Sequence, residues 1–310
     1  MIADRVTVVV LTYNRCREVL RTLAELARVV DGAPIVVVDN ASTDGTAAAI
    51  AGAHPSVRVV RLVDNLGAAA RNEGARIATT PHVAFCDDDT WWLPGSIGIA
   101  AATLDRHPRL AAVTARVLVG AARREDPTNA RMAASPLPNA LGVDGSAILG
   151  LLAGACMVRR DAFLAVGGYE PRFFLGGEER LLAVDLAAAG WHMAYLPAAV
   201  VCHDPSPVRD NAARRRLEAR NALWFAWLRR PSAIAVKATL EWWKATRGAP
   251  LRARALRDAL AGLRWIVHER RTLPPDVEQA LRTIDAFYEG AQRSGVDSAR
   301  ARLDGELMRE

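Results

Sequence analysis

Cysteine is scarce and scattered: Cys16, Cys86, Cys156 and Cys202 stand singly, with no Cys-x-x-Cys or other short ligand spacing. That argues against a disulfide framework and a structural zinc site, and it fits a reducing cytoplasm. No apolar run approaches the roughly 20 residues of a membrane-spanning helix. The opening MIADRVTVVVLTYNR places Asp4 and Arg5 before only six apolar residues, so it reads as a first strand and not as a secretion signal. No Gly-x-Gly-x-x-Gly follows that strand and no P-loop pattern occurs anywhere, which weakens the dinucleotide and P-loop alternatives. No internal repeat is evident. Aromatic residues make up only 6%, yet five of the eight Trp lie between 224 and 265.

What is present is an ordinary globular composition, 51% apolar and 24% charged, over 310 residues. That length suits one large domain with an extension. Val6 to Leu11, Pro34 to Asp39, Val57 to Leu62 and His82 to Cys86 are strand-like runs, separated by helical stretches at 15–29, 44–53 and 67–78. A βαβαβαβ order with continuous apolar strands implies a parallel sheet covered on both faces, whose ligands bind at the carboxyl ends of the strands. Polar residues gather at those ends: Thr12, Tyr13 and Asn14; Asp39, Asn40, Ser42 and Asp44; Asn65, Arg71 and Asn72; then Asp87, Asp88 and Asp89.

Three adjacent carboxylates repel one another unless a cation joins them. Were the chain extended here, Asp87 and Asp89 would share a face and hold one Mg²⁺ or Mn²⁺ together with a phosphate, while Asp88 would point elsewhere and matter least. A solvated acidic turn would show the same letters. Asp44 reads as a helix cap. Asp39 ends its strand, where a carboxylate can accept a hydrogen bond from the imide N–H of uracil or thymine, with Arg71 within reach of base or phosphates.

VVVLTYNR, VVVDNASTDGT, NLGAAARNEGA and FCDDDTWWLP, in this order, resemble the nucleotide-binding half of family 2 glycosyltransferases. The likeness covers about two thirds of the chain. It implies an α/β GT-A-like (Rossmann-like) fold with a mixed, mainly parallel sheet flanked by helices, and an inverting enzyme that uses a nucleoside-diphosphate sugar. By that resemblance Thr12 and Tyr13 line the nucleotide, Asp39 reads the base, Arg71 supports the donor, and Asp87 to Asp89 form the DXD element with Asp89 as metal ligand. UDP or dTDP is the expected nucleotide. Residues 154–159, GACMVR, look like the family's acceptor-facing strand, although small residues with Cys156 and Met157 would also suit a core.

Downstream, GGYEPRFFLGGEERLLAVDLAAAGW carries two glutamates opening a helix that runs to about Ala189. The family has Glu-Asp here, the second acid being the catalytic base; by position Glu179 inherits that role and Glu178 competes for it. The field of a helix N-terminus would keep such a base ionised. Asp185, on another helical face, reads as structural. His203 follows a strand, and the resemblance makes it a metal or diphosphate ligand with Asp204 orienting its ring.

From Pro205 the character changes. Between 205 and 271 stand 16 Lys or Arg and five Asp or Glu, interleaved with Trp224, Trp227, Trp242, Trp243 and Trp265. Residues 1–205 are therefore expected to form the catalytic domain and 206–310 a basic helical extension. Its composition suits either an interfacial contact with an anionic membrane, at the inner face of the plasma membrane, or a helical bundle docked on the catalytic domain. Arg214, Arg215, Arg216 and Arg220 are placed to serve donor phosphates or an acceptor pyrophosphate. A nucleic-acid partner is not expected, because no stacking fold is evident. The expected acceptor is a glycan, a lipid-linked sugar of the cell envelope or a small molecule. The competing reading is a module without turnover that binds nucleotide sugar or recruits to membrane.

Overall fold

The computed structural model describes residues 1–30, 32–205, 211–246, 248–288 and 290. The chain opens with β1 (Val6–Thr12), α1 (Cys16–Ala27), β2 (Ile35–Asp39), α2 (Thr46–Ala53), β3 (Arg58–Arg61), α3 (Arg71–Ile77) and β4 (His82–Asp87). All four expected strands form within one residue of their expected ends. The stretch 67–78 is not one helix: Gly67–Ala70 makes a 3-10 turn before α3. There follow β5 (Thr90–Trp92), α4 (Ser96–Arg106), β6 (Leu110–Val119), β7 (Arg124–Glu125), α5 (Pro127–Ala133), β8 (Ser146–Ala147), β9 (Cys156–Arg159), α6 (Arg160–Ala165), α7 (Glu178–Ala188) and β10 (His192–His203). The helices α8 (Asn211–Arg229), α9 (Ser232–Ala245), α10 (Ala249–Ala261), α11 (Leu263–Glu269) and a last one over 275–288 complete the chain.

One mixed sheet runs β3-β2-β1-β4-β9-β6-β10-β5, with β7 on β6 and β8 on β10. β1 to β4 are parallel, whereas β9 runs antiparallel to both β4 and β6, and β10 is parallel to β6. The reversal of β9 matters for function. It brings the amino end of that strand to the same rim as the carboxyl ends of β1, β4, β6 and β10. Along β1, Val8 and Val10 pack on one face with Leu23, Ile50 and Trp92, while Val9 packs on the other with Phe85 and Phe163, so both faces are covered.

A third cluster joins α7 to the last helices, through Phe173, Leu181 and Val184 against Leu223, Trp224, Leu228 and Ile266. The tryptophans mostly belong to this packing. Trp224 Nε1 donates to Ala259 O at 3.0 Å, Trp227 to Thr239 Oγ1 at 2.9 Å and Trp242 to Ala219 O at 2.8 Å, and Trp265 lies edge-on to Trp224. The first three indoles keep their N–H groups paired, whereas Trp265 Nε1 is buried without a partner and its ring belongs here by packing. The bundle reading therefore accounts for every Trp of the group except Trp243, whose ring is half exposed. Asp185 is structural as expected, gripped by Arg229 of α8 at 2.5 and 2.9 Å. The expected domain boundary, Pro205 to Asp210, lies outside the described residues from 206 onwards.

Gly67 has φ +59°, and a Cβ there would stand 2.1 Å from the backbone oxygen of Phe174, which already accepts from Ala68 N–H at 2.7 Å. Gly67→Ala is expected to cost ~2–4 kcal/mol, read as a fall in Tm. Gly52→Ala, in open space on α2, should leave Tm unchanged or slightly raised.

Candidate active site

A cavity of about 550 Å³ opens on the rim where the parallel strands end. Thr12, Tyr13 and Arg15 line it after β1, Asp87 to Asp89 after β4, Ala153 to Ala155 before β9, Glu179 at the start of α7, His203 at the end of β10, and Arg214 from α8. Six separate elements converge, so the groups far apart in sequence share one space.

On the β1 and β2 side, Thr12 is buried with its hydroxyl lacking a hydrogen-bond partner, and Tyr13 is half exposed. Asp39 pairs with Thr12 in the strand register and is fully buried. Its Oδ1 accepts from Ser42 N–H at 2.9 Å, while Oδ2 has no hydrogen-bond partner and lies 3.9 Å from Arg61 Nε. Asp39 stands behind the lining, and Asn40 faces the cavity in its place. Asn40 is a brace: it donates to Asn65 Oδ1 at 2.8 Å and accepts from Leu66 N–H at 2.8 Å. Asp44, one residue before the N-cap Gly45, satisfies a free N–H at the helix start as expected, accepting from Thr46 N–H at 3.1 Å and also from Cys16 N–H at 3.3 Å.

The acidic triplet differs from its sequence reading. β4 ends at Asp87, so strand alternation no longer governs Asp88 and Asp89, which lie in a turn. Asp87 is ion-paired with the buried Arg71, whose guanidinium also lies over Tyr169. Asp88 and Asp89 instead share Arg15, at 3.0 and 3.3 Å. Asp88 does not face away: it is buried at the cavity, and burial pushes its carboxyl up to about 7 against the pull of Arg15. Gly154 leaves room for this group, since a Cβ there would meet Asp87 Oδ2 at 2.5 Å and push that carboxylate aside.

Asp89 Oδ1 faces His203 Nε2 at 3.6 Å. A carboxylate and an imidazole on one cavity wall suit Mg²⁺ or Mn²⁺ as two of its ligands, with the others left to phosphate oxygens. Among the described residues no group of three His, Cys, Asp or Glu is gathered to hold a metal by itself. Asp204 does not orient His203. It pairs with Arg21 at 2.5 Å, and its N–H donates to Asp89 O at 2.9 Å, so it ties the end of β10 to the acidic turn.

The Gly176-Gly177 turn, with φ +87° and +91°, leads into α7 and sets its first residues against the cavity. Glu179 lines the cavity, and its Oε1 accepts from Ala153 N–H at 2.8 Å. Glu178 is buried and absent from the lining. Burial and the charge of Glu178 push Glu179 up to about 7. Desolvation and the neighbouring charge thus work against the field of the helix N-terminus that would keep this carboxyl ionised. Asn221 of α8 donates to Gly176 O at 2.6 Å and so fixes the turn from outside.

Of the α8 arginines, Arg214 alone reaches the cavity; Arg216 pairs with Asp258 at 2.6 Å and Arg220 stacks on Trp224. At β9, Ala153 to Ala155 face the cavity, whereas Cys156 and Met157 are core. Arg15 closes the VVVLTYNR motif, but nothing in that linear pattern places it between two aspartates 73 and 74 residues downstream.

The sequence profile of "Glycosyl transferase family 2" matches residues 7–167. An "N-acetylglucosaminyl-diphospho-decaprenol L-rhamnosyltransferase" of Mycobacterium tuberculosis is 29% identical over 239 residues, covering 64% of this chain and 76% of the relative. Among solved structures, the mannosyltransferase PcManGT of Pyrobaculum calidifontis, in complex with GDP-Man and Mn²⁺, superposes with a TM-score of 0.56 at 21% identity, over 91% of this chain and 86% of that one. S. aureus TarS 1-349 in complex with UDP-GlcNAc gives 0.57 at 17% identity, over 92% of each chain.

Proposed function

The chain belongs to glycosyl transferase family 2 and has the GT-A fold, and from that premise we propose an inverting transfer of a sugar from UDP or dTDP to the hydroxyl of a lipid-linked acceptor, with Glu179 as base. The observation that carries this reading is the placement of Glu179 in the same cavity as Asp89 and His203. Glu179 Oε2 takes the acceptor hydroxyl proton, and the oxygen attacks the anomeric carbon as the bond to the diphosphate breaks, so the configuration inverts. Ala153 N–H holds the other carboxyl oxygen and fixes the side chain.

Asp89 and His203 would hold a divalent cation, which when bound supplies Lewis-acid stabilisation of the departing diphosphate. Arg15 and Arg71 hold the three aspartates in place, and Arg214 offers the cavity a positive charge for phosphate. The choice of UDP or dTDP follows the likeness of the VVVDNASTDGT segment that carries Asp39, since the carboxylate itself is buried behind the lining that Asn40 presents. The two structural neighbours hold different nucleotides, GDP and UDP, so the shared fold does not choose the base. A lipid-linked acceptor is supported by the mycobacterial relative, an N-acetylglucosaminyl-diphospho-decaprenol L-rhamnosyltransferase.

A panel of UDP-, dTDP- and GDP-sugars with Mn²⁺ tests the proposal. Donor hydrolysis or transfer with a UDP- or dTDP-sugar, and an inverted anomeric signal in the product, is the expected result. Binding without any turnover across the panel and a set of lipid-diphosphate acceptors would favour the non-catalytic module instead.

A further inference from the structure

One face of α9 remains outside all this packing. Val236, Leu240 and Trp243 recur at helical spacing, i, i+4 and i+7, and are 61%, 60% and 49% exposed. The neighbouring face, one residue earlier at each turn, is the one that packs, through Ala235 and the hydrogen bonds of Thr239 and Trp242 to α8. Lys237 and Lys244 flank the apolar stripe on one side. Arg252, from the start of α10, lies over the Trp243 ring at 4.7 Å and donates to its backbone oxygen at 2.9 Å. Between Ser232 and Arg271 the chain carries nine Lys or Arg against three Asp or Glu, one of which, Glu241, lies 3.6 Å from Lys237 in an exposed pair, so the segment that bears the stripe is net positive.

We propose that this face of α9 docks on an anionic lipid surface, Val236, Leu240 and Trp243 entering the headgroup boundary and Lys237, Lys244 and Arg252 meeting lipid phosphates. A partly exposed Trp beside long cationic side chains suits the amphipathic boundary of a bilayer, where an apolar stripe with flanking cations gains from both burial and charge. Among the described residues no helix is long and apolar enough to cross a membrane, so the contact lies on the surface.

The placement has a consequence for the cavity. Hydrogen bonds from Trp227 to Thr239 and from Trp242 to Ala219 make α8 and α9 antiparallel, so the Trp243 end of the stripe returns toward the end of α8 that carries Arg214 to the cavity. A bilayer on α9 would hold the cavity near the headgroups, where the phosphates of a lipid-linked acceptor lie. That consequence rests on the proposed acceptor class, whereas the docking itself does not.

Flotation of the full chain with phosphatidylglycerol-containing vesicles, compared with pure phosphatidylcholine, is the test. Binding to the anionic vesicles is expected, weakening as salt is raised. Leu240→Ser with Trp243→Ala should lower it ~10-fold or more, and Lys237→Glu with Lys244→Glu should remove the preference for anionic lipid. Donor hydrolysis in solution should be unchanged in both pairs, which separates failure of docking from failure of the transferase reading. No binding to anionic vesicles, or binding indifferent to both pairs, overturns the proposal. So does a dimer in light scattering that the Leu240 and Trp243 pair dissolves, since the face would then join two copies of this chain.

Discussion

Glu179→Gln lowers sugar transfer ~10³-fold or more and leaves donor binding near normal. The carboxylate is the cavity-facing member of the Glu pair, and Gln keeps the bond from Ala153 N–H while losing the ability to take a proton. In single-turnover kinetics the loss appears in the chemical step and not in donor affinity. Full transfer by this variant would remove Glu179 from the mechanism.

The raised carboxyl makes two further expectations specific. Transfer by the native chain rises with pH through about 7 as Glu179 ionises. Glu178→Gln removes a neighbouring negative charge, so the midpoint moves to lower pH instead of the activity disappearing. Stability runs the opposite way to activity. A carboxyl raised in the folded state from its ordinary 4.5 favours folding while it is neutral, and that contribution is lost as pH climbs through the folded value. Glu179→Gln is therefore expected to be more stable than the native chain above pH 7, on the order of 1–3 kcal/mol. The difference should vanish at pH values below 4.5, where both side chains are neutral. On the proposed role the base would be held at the expense of the fold, a trade common where a group must change its proton.

The parallel half of the sheet was legible because valine-rich runs buried on both faces have no other stable home, and because each ends in a polar cluster. The rim followed from that topology. What the linear pattern does not carry is where the chain turns. The triplet was read with strand alternation, but β4 stops at Asp87, and a two-residue turn sends Asp88 to Arg15 instead of to solvent. The convergence of β9 on the rim depended on an antiparallel insertion, which a four-residue apolar strand does not announce. Similarly, Arg and Trp in alternation describe both a membrane helix and a bundle. Only the hydrogen bonds of Trp224, Trp227 and Trp242 assign most of that pattern to the interior.

Asp89→Ala is expected to erase the stimulation of UDP binding by Mn²⁺, a loss of ~100-fold or more, while binding in EDTA stays at the native level. Calorimetry with and without metal reads both quantities. The metal effect turns on which aspartate faces a second ligand. Asp87 pairs with Arg71, and Asp88 and Asp89 both pair with Arg15, but Asp89 is the member whose other oxygen faces His203. His203→Ala should weaken the metal effect in the same direction. A Tm of both variants at the native level separates loss of the metal effect from loss of fold. If Mn²⁺ stimulates UDP binding to Asp89→Ala as it does to the native chain, the cation belongs to another pair, and Asp87 released from Arg71 becomes the first to examine.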